Sequence, residues 1–124
     1  MDRQQVFSYV KQRYHTLPDY PWADQNAVLR HRNNQKWYAL IMEVSREKLG
    51  LLDEETVQIM NVKCDPALIG SLRMREGYHP AYHMNKENWI SVRLDGSVPE
   101  NEIRSLIDES YGLTAAKSNK LEGK

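Results

Sequence analysis

Apolar positions along the chain follow two rhythms, one helical and one alternating. From Asp2 to Leu17, Val6, Val10, Tyr14 and Leu17 return at helical intervals, with Phe7 and Tyr9 widening the stripe, and Pro18 stops the pattern. This predicts an opening amphipathic helix. After the polar stretch PDYPWADQN, Ala27 to Arg32 and Lys36 to Val44 read as two strands. Asn33, Asn34 and Gln35 join them, and their amide side chains tolerate left-handed turn geometry. Alternation in the second strand puts Tyr38, Leu40, Met42 and Val44 on one face, with Trp37, Ala39, Ile41 and Glu43 on the other. Thr56 to Lys63 predicts a third strand. Asp65-Pro66 then supplies a helix cap followed by proline at the first helical position, where its missing N–H costs nothing, and a short helix should run through Leu72. Trp89 to Leu94 alternates again and ends at the turn signal Asp95-Gly96. Ser97 and Glu100 have capping-box spacing before a last helix, whose buried stripe is Ile103, Leu106, Ile107 and Tyr111 and whose close is Gly112.

The expected order is helix, three strands, short helix, one or two strands, helix. Hairpin-linked strands bracketed by helices predict an α+β fold, a two-layer sandwich whose antiparallel sheet has helices packed on one face. The 124 residues suit one domain with its own core. That domain is expected over residues 1–113, and residues 114–124, ending KSNKLEGK, read as a flexible C-terminal tail.

Lysine plus arginine number 17 and aspartate plus glutamate 17, so no global field draws the chain to a polyanion. Nucleic-acid binding would need a local patch. The single cysteine, Cys64, excludes an intramolecular disulfide and a four-cysteine zinc site. The N-terminal MDRQQVFSYVKQRY interleaves charges with its apolar residues, unlike a signal peptide or membrane span. A cytoplasmic protein with no membrane partner is expected.

Candidate chemistry concentrates in two stretches. Around the first hairpin stand Arg30, His31, Arg32 and Lys36, and later come Arg73, Arg75, His79, His83, Lys86 and Arg93. Guanidinium and ammonium groups are what phosphate contact requires. Asn33, Asn34, Gln35, Asn85 and Asn88 add amides for phosphates or base edges, and Trp37, Tyr82 or Trp89 could stack on unpaired bases. A rival use of the later stretch is a groove for a protein or small-molecule partner, lined by Tyr78, Tyr82, Met84 and Trp89.

Metal and catalytic readings find less support. Cys64, Asp65, His79 and His83 are the one assembly with suitable ligand types, yet Pro80 disfavours a helix that would align the histidines. A thiol beside Asp65 is raised in pKa instead of activated. GxGxxG is absent, and Gly70-Ser71 lacks the lysine of a phosphate loop. The sequence reads as non-enzymatic, with no cofactor and no metal.

Taken in order, YPWAD, AVLRHRNNQKWYALI, KCDPALIGSLR and YHPAYHMNKENWISVRLDGSVP resemble the MmcQ/YjbR proteins of bacteria over roughly Val6 to Leu113. Matching positions are Trp22, Arg30, Lys36, Trp37, Lys63, Cys64, Asp65, Pro66, Arg73, Tyr82, His83, Met84, Asn85, Lys86, Trp89 and Gly96. The resemblance implies a fold similar to CyaY, the bacterial frataxin, and a double-wing arrangement in which strand-turn elements grip DNA. It does not bring iron with it, because the first helix carries Asp2, Arg3, Lys11 and Arg13 and so lacks an acidic ridge. The expected DNA-binding surface consists of Arg30, Arg32, Asn34, Lys36, Arg73, Arg75, His83, Asn85 and Lys86.

Overall fold

The computed structural model describes residues 1–116 and is α+β. Helix α1 (Arg3–Tyr14) leads into strands β1 (Ala27–Arg30), β2 (Trp37–Ser45) and β3 (Thr56–Lys63), with a 3-10 turn at Arg46–Leu49 between the last two. Helix α2 (Pro66–Leu72), strands β4 (Tyr78–Pro80) and β5 (Trp89–Arg93), and helix α3 (Glu100–Leu113) complete the order. The five strands form one sheet in the order β1-β2-β3-β5-β4, with every neighbouring pair antiparallel. Among the described residues no helix is long and apolar enough to cross a membrane.

Local chemistry explains most element ends. Asp2 and Gln5 form a reciprocal capping box at the start of α1. That helix stops before Leu17, which stays largely exposed, so the apolar stripe is shorter than its spacing predicts. Asp65 caps α2 by accepting from the Ala67 N–H at 2.9 Å, with Pro66 at the first helical position. Ser97 does not cap α3. Its hydroxyl donates to Asp95 instead, and the helix begins after Pro99 with no side-chain cap. Nor does Gly112 close α3, which continues to Leu113.

The three helices share one face of the sheet. Val6 and Val10 of α1, Ile69 of α2 and Ile103, Leu106 and Ile107 of α3 pack with Ala39, Ile41, Met60, Val62, Ile90 and Val92. Asp108 joins α1 to α3 by accepting from the Tyr9 and Tyr14 hydroxyls and from Arg13 Nε. Burial first, and then that carboxylate, push the Tyr14 phenol up to about 12. The other face is buried as well, since Val28, Leu40, Ile59, Asn61 and Ser91 are all sealed from solvent. Connecting segments cover it. Asn61 donates to the Tyr82 carbonyl at 2.9 Å, Ser91 accepts from the Tyr82 N–H at 2.9 Å, and the Ser91 hydroxyl donates to Asn61 Oδ1.

One irregularity corrects the alternation read from β2. A single step along β1, Leu29 to Arg30, is matched by two along β2, Ala39 to Trp37, so Tyr38 is an extra, bulged residue. Tyr38 therefore joins Ala39 and Ile41 in the helix-side core, and Trp37 turns to the loop-covered side beside Arg30. Beyond the Ala39–Val62 pair, the next rung of the β2–β3 ladder would join Tyr38 to Lys63. The buried hydroxyl of Ser110 occupies that rung, accepting from the Lys63 N–H at 2.9 Å and donating to the Tyr38 carbonyl at 2.6 Å.

The sheet borders are short. The outer side of β1 makes an isolated bridge between Asp19 and Val28, and β4 has only three residues, the last of them Pro80. Thr114, placed in the tail by the sequence, is buried against His31 and bonded to it at 2.8 Å, so the packed region reaches past 113. The rest of the expected tail, 117–124, lies outside the described residues.

Candidate nucleic-acid interface

Antiparallel pairing decides which connections meet. Strands β2 and β5 begin, and β1, β3 and β4 finish, at the same end of the sheet. The β1–β2 turn (31–36) and the β4–β5 loop (81–88) both emerge there, with Lys63 at the tip of β3 between them. Lys63 pairs with Trp89, and alternation sets both on the loop-covered side together with Asn61 and Ser91.

The predicted residues divide between the turn end and the helix side. Arg32, Lys36 and Lys86 are exposed at the turn end, and among the described residues no carboxylate lies within ion-pair distance of them or of Lys63. Arg30 is there too, but Asp19 holds it at 2.9 Å while its guanidinium lies 5.5 Å from the Trp37 ring centroid. His83 is exposed in the β4–β5 loop in a left-handed conformation, φ 59°. Trp22, half-exposed, meets Trp37 edge-on at 5.7 Å and gives this end an available aromatic surface.

Arg73 and Arg75 stand apart from these. Helix α2 starts just after Lys63 and carries the chain over the helix side to Tyr78, which pairs with Val92, three residues or about 10 Å along β5 from Trp89. Arg75 is bonded there to Glu102 at 2.8 Å and stacked on Tyr78. The nine predicted residues thus do not form one surface.

Two of the amides bond the backbone. Asn34 donates to the Thr114 carbonyl at 3.1 Å and accepts from the Lys36 N–H at 2.8 Å, which shapes the turn. Asn85 accepts from the N–H groups of Glu87 and Asn88, which shapes the loop. Asn34 is spent on the turn, whereas Asn85 commits its oxygen to the loop and keeps its exposed NH2 unbonded among the described residues. His31 and Arg93, counted among the basic candidates, are buried. Burial, with a smaller push from Lys36, lowers the His31 pKa and keeps its ring neutral at pH 7.

The aromatic groove does not assemble as predicted, because Tyr78 pairs with Val92 on the helix side, whereas Tyr82 and Trp89 belong to the loop-covered side. Cys64 and His79 are separated in the same way: Cys64 sits in the helix-side core and His79 pairs with Ser91 on the other face. Burial first, then Glu109 and Asp65, raise the Cys64 thiol. Among the described residues no cluster of three or more His, Cys, Asp or Glu side chains has metal-ligand geometry. Lys63 is the residue that the predicted surface omitted. Its signal was parity, since it lies two residues from Asn61 and follows the buried run 59–62 of its strand.

Known proteins share this architecture. YyaQ of Bacillus subtilis is 47% identical over 116 residues, covering 92% of this chain and 98% of its own length. YjbR of Escherichia coli K12 is 34% identical over 77 residues, 60% of this chain and 65% of that protein. A Pseudomonas syringae protein solved by crystallography is 47% identical and superposes with a TM-score of 0.90 over 93% of this chain and 100% of the other. A Deinococcus radiodurans crystal structure at 26% identity gives 0.72 over 94% and 80%. The YjbR family profile matches residues 11–113, and with that span, the sheet order and these relatives in agreement, the chain belongs to the YjbR family.

Proposed function

We propose that the protein binds DNA, without enzymatic activity, through the end of the sheet from which the β1–β2 turn and the β4–β5 loop emerge. The observation that carries this reading is the meeting there of Arg32, Lys36, Lys63 and Lys86, none paired with a carboxylate among the described residues. From β1 to β5 the surface crosses three strand spacings, about 14 Å, a width that faces roughly four phosphates of one strand. Cations supply the affinity and Trp22 a stacking face for an unpaired base. Glu87, exposed in the same loop, works against the patch and keeps the affinity modest.

Fluorescence anisotropy with duplex and single-stranded oligonucleotides tests the reading. Four neutralised phosphates give a slope of log K against log salt near −3.6 for duplex, or about −2.8 for a single strand. Lys36→Glu and Lys63→Glu should each weaken binding and flatten the slope by about one unit. Arg73→Glu, at the C-terminus of α2 on the helix side, should leave both unchanged. Absence of binding at low salt, or equal sensitivity to Arg73→Glu, defeats the proposal.

A further inference from the structure

A second recess lies at the β4 border of the sheet, on the loop-covered side. The 3-10 turn supplies Lys48 and Leu49, β4 supplies His79 and Pro80, and the β4–β5 loop closes it with Tyr82 and Lys86, around a cleft of ≈ 400 Å³. Small-molecule sites commonly occupy about 300–1,000 Å³. Acids and bases are equal in number over the whole chain, 17 to 17. Among the described residues lining this cleft, however, stand two lysines and two histidines and no carboxylate. Local charge is therefore one-sided where the global charge is balanced.

His79 adds a second, independent indication. Its Nε2 is shielded from solvent and has no hydrogen-bond partner among the described residues. Buried polar atoms in folded chains are nearly always partnered by protein, water or a bound group. Burial first, and then the charge of Arg93, lower the His79 pKa, while the Leu49 backbone opposes them, so the ring is neutral at pH 7. A neutral imidazole offers one donor and one acceptor and serves as an orienting group rather than a charge.

We propose that this cleft binds a small organic oxyanion carried on a flat apolar body, with Lys48 and Lys86 taking the charge and His79 and Tyr82 fixing the body. Lys48 comes from the 3-10 turn after β2, which folds over the loop-covered face to line the same cleft as Lys86. The two sites share Lys86 and adjoin at the β4–β5 loop, while Lys48 belongs to the cleft alone.

Titration with phenyl phosphate, followed by amide and histidine-ring NMR signals, tests it, with phenol as the neutral counterpart. Saturable shifts are expected at Lys48, Leu49, His79 and Tyr82, with phenol at least tenfold weaker. Lys48 is exposed, so Lys48→Ala removes one charge-assisted contact without touching the core and should weaken phenyl phosphate about tenfold. That variant should keep its oligonucleotide affinity. Unsaturable shifts, equal binding of phenol, or unchanged affinity in Lys48→Ala overturns the site. Parallel loss of oligonucleotide binding in that variant overturns its distinctness from the DNA surface.

Discussion

Replacing Ser110 by alanine probes the junction that sets Lys63 and Tyr38 in place. The side chain is fully buried, and its one hydroxyl serves the Lys63 N–H and the Tyr38 carbonyl at once. Removing it strands a backbone donor and a backbone acceptor in a sealed site, and each costs about 1–3 kcal/mol if it finds no new partner. A cavity of a single oxygen adds little, so the total should be about 2–6 kcal/mol. With an unfolding entropy of about 2.1 cal/mol/K per residue, a chain of this length should lose roughly 8–23 °C in Tm. Urea unfolding followed by circular dichroism gives the free energy, and calorimetry gives the midpoint. Ser105→Ala is the matched control: it lies on the same helix, is exposed, and bonds only the Asn101 carbonyl. A loss for Ser110→Ala as small as the control's, under about 0.5 kcal/mol, would refute the reasoning. The two strands would then have closed the rung directly, with the Lys63 N–H donating to the Tyr38 carbonyl.

Four further outcomes are expected. Gly77 has φ +92°, and a Cβ there would meet Val98 Cγ2 at 2.5 Å and Ser97 Oγ at 2.7 Å, so Gly77→Ala should cost at least about 2 kcal/mol in urea unfolding. Gly70→Ala, inside α2 with open space around it, should instead stabilise by about 0.5–1 kcal/mol. Stability should fall as pH drops from 7.5 through the ordinary histidine value of 6.5, because folded His31 and His79 have lowered pKa values and the unfolded chain takes up protons first. A urea midpoint that is flat or rising between pH 7.5 and 5.5 contradicts this. A further loss should follow below pH 4.5, where Glu102, depressed by its bond from Arg75, is protonated on unfolding.

Much of the fold was legible because it is locally encoded. Strand β3 has the bounds that its alternation predicts, and Asp65-Pro66 starts α2 by contacts within three residues. What escaped was set by partners distant in sequence. The bulge at Tyr38 depends on β1 and is held by Ser110, 72 residues away, so simple alternation assigned Tyr38 and Trp37 to the wrong faces. Asp95 captured Ser97, and the capping-box spacing therefore misled. Strand β4 is only three residues long and ends in proline, too brief for a periodic signal. The same distinction governs the site. Residue type alone nominated Arg32, Lys36 and Lys86 as candidates, but only strand order could separate them from Arg73 and Arg75 and add Lys63 to the candidates.

The two borders of the sheet have a consequence for behaviour at high concentration. The β1 border already exchanges N–H···O bonds of 3.0 and 2.8 Å with Asp19, and the β4 border is cut short by a residue that has no N–H to give. Neither offers a run of vacant amides long enough to template an incoming strand, the route by which exposed sheets grow into fibrils. Crowded solutions of the native protein should accordingly resist amyloid-type stacking.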